Sequence, residues 1–269
     1  MAWRKLTAFI IRDFHWDLSY PLAFLWRLGS IVLNLIIFYF LGKMISQAAS
    51  PHLAPYGGNY FAFAMVGLAL ASFQAVALSS ISGSLHYEMF TGTLESMLAT
   101  PTRLSTIVFS AMLYRFINGL GEVVIYFGLT AVFFELLLKQ VNLAGAAVML
   151  LLALLAHLPL GILSASFLLL FKRGDPLTII LGHLSALLGG VYFPVQILPA
   201  WLQGVAQLLP FTHALEGLRQ AVLNGRGVAD LGPQILVLAL FAVVLMPLSL
   251  AAFAWSVRTA KKLGTLSQF

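Results

Sequence analysis

Residues 143–171 read LAGAAVMLLLALLAHLPLGILSASFLLLF, a run without a single Asp, Glu, Lys or Arg. A helix crossing the roughly 30 Å hydrocarbon core of a bilayer uses about 20 residues. This stretch is long enough to cross as one helix, and the rest of the chain repeats its character. Overall, 61% of the 269 residues are hydrophobic and 9% are charged, against about 45–50% and about 25% in a soluble domain. Fifteen Lys and Arg with nine Asp and Glu cannot coat a soluble globule of this size. The chain is an integral membrane protein.

Working outward from that run, a span that begins soon after Arg103 and reaches about Phe134 carries Arg115, Asn118 and Glu122, and a brief loop with Glu135, Lys139 and Gln140 joins the two. Residues 60–81 and 22–41 read as the two spans before it. Pro21 stands at the first helical position, where a missing N–H does no harm. Arg27 lies about one and a half turns inside, placed to snorkel to the surface. Between these two spans, Ser50-Pro51, Pro55 and Gly57-Gly58 mark a loop. Residues 1–20 mix Trp3, Arg4, Lys5, Arg12, Asp13 and Trp16 with Leu6, Phe9 and Ile10, the composition of an interfacial helix. They lack the apolar core and cleavage pattern of a signal peptide.

On the other side, Lys172-Arg173-Gly174-Asp175-Pro176 is a compact turn, and a fifth span is expected from there to about Val191. Over residues 192–224, Pro194, Pro199 and Pro210 cut an apolar region into pieces too short to cross. Trp201, Leu202, Val205, Leu208 and Leu209, then Leu215, Leu218 and Val222, recur at helical spacing. Two short helices are predicted, dipping into the outer leaflet or lying along it. The last span covers 232–255, with Pro247 as a kink.

These readings make an all-α, six-span protein, a single domain over 1–269. With both termini in the cytoplasm, nine basic residues fall inside (Arg4, Lys5, Arg12, Arg103, Lys172, Arg173, Arg258, Lys261, Lys262) and four outside (Lys43, Lys139, Arg219, Arg226). That bias fits the positive-inside rule and accounts for the basic clusters without nucleic acid. No stretch remains for a soluble domain of about 100 residues.

The sequence holds little chemistry of its own. A Gly-rich loop ending in Gly-Lys-Ser/Thr is absent, so the chain does not hydrolyse ATP by itself. There is no His-Glu-x-x-His and no cysteine, and no metal site or catalytic residue is assigned. Ser82-Gly83 with His183 makes a poor intramembrane protease, because the serine falls at the membrane edge. His157 and His183, each alone, read as packing residues.

Three helical patterns remain. Ser72, Val76, Ser79 and Gly83 form one stripe, suited to packing on a neighbour or to facing a polar cavity. Arg115, Asn118 and Glu122 share a face that must avoid lipid, as a pathway wall, an ion-coupling pair or a structural ion pair. Gly182, Ala186 and Gly190 recur every four residues and allow close backbone approach, at a dimer seam or within one subunit.

The segment 84–103 is different. Gly92-Thr93-Leu94-Glu95-Ser96-Met97-Leu98-Ala99-Thr100-Pro101 reads as a short cytosolic helix, with Gly92 at its cap, Glu95 in the first turn and Pro101 as its stop. Leu94, Met97 and Leu98 share one apolar face. Two turns of helix are not stable alone, so that face needs a groove to enter.

Glu88 with Gly92 through Pro101 resembles the coupling segment of the ATP-binding-cassette (ABC) type-2 permease family. Gly190-Val191-Tyr192-Phe193-Pro194, Leu198-Pro199, Trp201-Leu202 and Leu209-Pro210 through Arg219 resemble the stretch before that family's last span. The resemblance implies the membrane subunit of an exporter, paired as a homodimer or heterodimer in the plasma membrane, here the inner membrane of a bacterium. Each copy would rest on a separate ATPase subunit that holds ATP and Mg²⁺, with no cofactor on this chain. Glu88, Gly92, Thr93, Leu94, Glu95, Met97, Leu98 and Pro101 would meet that ATPase. The second and fifth spans would lie near the pathway, and Phe193, Pro194, Trp201 and Leu218 would shape its outer exit. The alternative is an ion-coupled secondary transporter, for which Arg115 with Glu122 is the only hint.

Overall fold

The structure, a computed structural model, describes residues 7, 10–11, 14–15, 19–45, 50–90, 104–133, 140–171 and 175–262. Among them every regular element is helical: α1 (Pro21–Ile45), α2 (Tyr60–Phe90), α3 (Leu104–Phe133), α4 (Leu143–Phe171), α5 (Pro176–Leu188), α6 (Ala200–Gln207), α7 (Pro210–Leu223) and α8 (Gly232–Lys262). Single turns at Ser50–Leu53 and Ala54–Tyr56 join α1 to α2. Five helices are long and apolar enough to cross a membrane: α1, α2 over Tyr60–Gly83, α3 over Leu113–Phe133, α4, and the last helix within Val228–Ala260. Of residues 1–18, Thr7, Ile10, Ile11, Phe14 and His15 are helical, and the others lie outside the described residues.

Local chemistry sets several of the starts. The Asn59 side-chain carbonyl accepts from the Ala62 N–H at 3.1 Å, and that of Asn142 from the Gly145 N–H at 2.8 Å. Each satisfies an amide that the first turn of its helix leaves unpaired. Pro176 and Pro210 stand at the starts of α5 and α7, where proline's fixed φ suits a helix.

Two elements differ in length from the sequence reading. The second helix does not stop near residue 81 but continues unbroken to Phe90. Hydropathy marks where lipid ends, and residues 82–90 contain no proline to end the helix with it. Conversely, the segment expected as the fifth span is a helix of 13 residues, about 20 Å long at 1.5 Å per residue. It stops at Gly189-Gly190, where Gly190 takes φ +92°, a conformation open to glycine and costly for other residues. The last helix passes through Pro247 without a break.

The second helix is the axis of the fold. Most of its spanning window is buried, and it packs against α1, α3, α4, α5 and α7. Met65, Val66 and Phe73 of α2 join Met149 and Ala153 of α4 and Phe211, Leu215 and Leu218 of α7 in the main core. Few residues in the windows of α1, α3 and α8 are buried, and α8 presents Leu236, Leu240, Val243 and Leu248 outward. Such a surface suits lipid or another membrane chain as its solvent.

Candidate functional site

The polar side chains of this molecule converge on the axial helix at three levels. Midway, the Ser72 hydroxyl of α2 donates to Glu122 Oε2 of α3, and Arg27 Nε of α1 lies 3.4 Å from Glu122 Oε1. Glu122 is buried while the Arg27 side chain is about half exposed. The acidic member of the 115–118–122 face is thus answered by a charge on a different helix. Arg27 does not simply snorkel, because its guanidinium turns toward the carboxylate.

The small-residue stripe of α2 faces the same neighbour. A Cβ placed on Gly119 of α3 would lie 3.4 Å from Val76 Cγ1, and one on Gly83 would lie 3.8 Å from the Arg115 guanidinium. Ser72, Val76 and Gly83 therefore run antiparallel along Glu122, Gly119 and Arg115, so the stripe packs on a neighbour. Ser79 returns its hydroxyl to the Ala75 carbonyl at 2.8 Å.

At one end of α2 and α5 stands Asp175, which the sequence reading had placed in a turn. Its carboxylate accepts from Ser82 Oγ of α2 at 2.5 Å, from Ser164 Oγ of α4, and from Thr178 N and Oγ1 at 3.1 and 2.7 Å. It is the N-cap of α5. Burial opposes its ionisation, but the bonds from Ser164, Ser82 and Thr178 outweigh that and hold the carboxyl below its ordinary range. Ser82 therefore serves a carboxylate, not a histidine. Deeper along the same pair of helices, the Gln74 amide donates to Ser185 Oγ at 2.8 Å, both side chains buried.

At the opposite end, Arg219 of α7 is only 3% exposed. It donates from Nη2 to the Phe63 carbonyl at 3.0 Å, and its guanidinium lies 3.4 Å from the centre of the Phe63 ring, in cation–π contact. The Val191 carbonyl, at 3.4 Å from Nη2, ties it to the turn after α5. Gly67 makes this approach possible: a Cβ there would sit 2.8 Å from the Val191 carbonyl oxygen and 3.0 Å from Arg219 Nη2. One step out, the Tyr56 hydroxyl donates to Glu216 Oε2 at 2.7 Å. Burial, then the Glu216 carboxylate, push the Tyr56 phenol up to about 12. Arg219 is thus enclosed, whereas Lys43 stands in the last turn of α1 and Arg226 beyond the end of α7.

The remaining predicted residues fall as follows. Glu88 lies in the last turns of α2, while Gly92, Thr93, Leu94, Glu95, Met97, Leu98 and Pro101 lie outside the described residues. Gly182, Ala186 and Gly190 do not form one contact. A Cβ on Gly182 would meet nothing among the described residues within 4 Å, Ala186 packs on the core, and Gly190 is in the turn beyond the helix. Pro194 is buried and Phe193 partly so, Trp201 is 71% exposed on α6, and Leu218 is fully enclosed in the core. His157 is buried, with Nδ1 2.6 Å from the Ala153 carbonyl and its ring edge-on to Phe211. A cleft lined by Phe73, Val76, Ala77, Ser80, Phe116 and Leu154, with room for about one water molecule, lies between α2, α3 and α4. It is smaller than the roughly 300 Å³ at which small-ligand pockets begin.

Sequence reasoning missed the roles of Asp175, Ser164 and Arg219. Two signals were present: Asp before Pro at a helix start, an N-cap pattern, and an Arg in a helix otherwise rich in buried positions. A family model described as ABC-2 type transporter matches residues 6–223, well over half of the chain. No curated protein matches it.

Proposed function

The chain belongs to the ABC-2 type transporter family, and from that premise we propose that this permease subunit exports its cargo, driven by ATP hydrolysis on a separate ATPase. Two permease subunits would enclose the pathway, and the cleft between α2, α3 and α4 of one subunit is too small for a cargo. The proposed topology has six crossings with both termini in the cytoplasm of a bacterial inner membrane. In it, α5 enters from the cytoplasmic side, turns at Gly189-Gly190, and hands over to α6 and α7 in the outer leaflet. The nine-to-four distribution of basic residues supports that orientation.

One observation carries the reading. The helix whose spanning window is the most buried, packed against α1, α3, α4, α5 and α7, is also the one that runs on without a break to Phe90, at the threshold of the segment 92–101. A push on that segment by a closing ATPase would enter the core of the subunit through α2, a two-state change biased by nucleotide. The ion-coupled alternative leaned on Arg115 with Glu122. Glu122 is engaged by Arg27 and Ser72, so that alternative loses the pair it needed.

The test is purification of the full chain from its native membrane in mild detergent. An ATPase subunit of about 25–35 kDa, the size of one nucleotide-hydrolysing domain, co-elutes with the wild type. Leu94→Asp, which puts a charge on the apolar face of the short helix, abolishes co-elution and leaves the permease assembled. Vesicles in which the permease alone moves cargo without nucleotide would overturn the proposal.

A further inference from the structure

Asp175 fastens α5 to the axial helix in a way that helix packing does not require. Its carboxylate is shared among three helices: Ser82 on α2, Ser164 on α4, and its own Thr178 on α5. Ser164 Oγ also lies 3.0 Å from Thr178 Oγ1, closing the group. Ten residues along from Asp175, about 15 Å at helical rise, Ser185 accepts from Gln74. The two helices are thus bonded at two levels. A rod bonded at two levels cannot pivot against its neighbour without breaking one of the bonds. The axial helix extends eight residues beyond Ser82 to Phe90, about 12 Å further.

We propose that Asp175 is a positioning residue that makes α5 travel with α2, so that displacement imposed on the Phe90 end of α2 reaches the turn at Gly190 instead of being lost between helices. The inference rests on the exporter reading for the source of that displacement. The Ser82 hydroxyl is the arm of this joint that belongs to α2. Ser164 belongs to α4 and keeps the carboxylate in place when the α2 arm is removed.

The chain contains no cysteine, so spin labels on Ala75→Cys of α2 and Ile180→Cys of α5, both exposed, are its only ones, and the same complex without these substitutions gives the background of the ATPase. Distances between them are measured by pulsed electron resonance on the complex with its co-purified ATPase, nucleotide-free and trapped with ATP and vanadate. In the otherwise wild-type protein the distribution is narrow and does not move on trapping. In Ser82→Ala, which keeps the α5 cap, and in Asp175→Ala, it broadens and shifts by about 2–5 Å on trapping, the scale of helix displacements in switching proteins. Both variants still bind and hydrolyse ATP, but transport fewer cargo molecules per ATP. Asp175→Asn, which retains an acceptor oxygen, falls between. A wild-type distance that shifts on trapping, or variants whose distribution stays narrow and still, overturns the joint. If no ATPase co-purifies, it is the exporter reading that fails. The joint is then judged on widths alone, with equal widths in wild type and Ser82→Ala overturning it.

Discussion

The Arg219 end and the Asp175 end of the axial helix are both built around one charged side chain, and they are built in opposite ways. Arg219 is enclosed by main-chain carbonyls and ring faces, with Gly67 and the turn at Gly190 shaped to its outline. Its hydrogen-bond acceptors are main-chain carbonyls, which have no rotamers to change. Asp175 is only partly buried and is held by three hydroxyl groups, each on a side chain that a single χ1 rotation removes. The contrast teaches two ways of fastening a helix to the axis, one through the main chain and one through side chains. A guanidinium on a backbone seat locks α7 to α2, whereas a carboxylate shared among hydroxyls ties α5 to α2 and α4 through side-chain bonds that substitution can remove one at a time.

Arg219→Ala breaks the contrast most severely. It empties a large buried site and removes the bonds to the Phe63 and Val191 carbonyls, so unfolding in detergent should lose about 2–5 kcal/mol. Ser164→Ala at the other end removes one donor of several to the carboxylate and should cost only about 1–2 kcal/mol in the same titration. Equal losses at the two ends would abolish the distinction. The smallest effect sharpens it by pH. Asp175 titrates below its ordinary 3.8 in the folded protein, so its stabilisation is present above that value and is lost as acid carries the pH down through the folded pKa. Tyr56 is raised from 10.0 to about 12, so its stabilisation is present below pH 10 and is lost as alkali passes about 12. Amide exchange should therefore quicken first at the start of α5 in acid and first around Tyr56 in alkali.

The helices themselves were legible because lipid imposes a length and an apolar character on each crossing, and the runs at 21–45, 60–83, 113–133 and 143–171 satisfy both. What was not legible depends on partners far away in the chain. Nothing local to Asp175 reveals that Ser82, 93 positions earlier, closes on it. Arg219 counted as a loop-side cation because a basic residue beyond a span ordinarily meets water. Its enclosure follows from Phe63, 156 positions away, and from the absent side chain at Gly67. The second span, read at 60–81, was legible, but the helix that contains it runs on to Phe90, since a hydropathy boundary and a helix boundary coincide only where a breaker stands between them. The stripe at Ser72, Val76 and Gly83 was visible as a pattern, but only the facing residues on α3 decide that it meets protein.

The order in which the ribosome delivers these groups adds a constraint. The polar side chains of α2 must wait for theirs: Ser72 for a residue 50 positions later, Ser82 for one 93 later, and Gln74 for one 111 later. Throughout that interval the nascent helix carries amides and hydroxyls with no mate in the bilayer, where exposing them is costly. Biogenesis must therefore shelter the second segment beside the insertion machinery until the fifth arrives. A chain stalled before residue 175 would offer quality-control proteases a segment whose hydrogen bonds are still unmade.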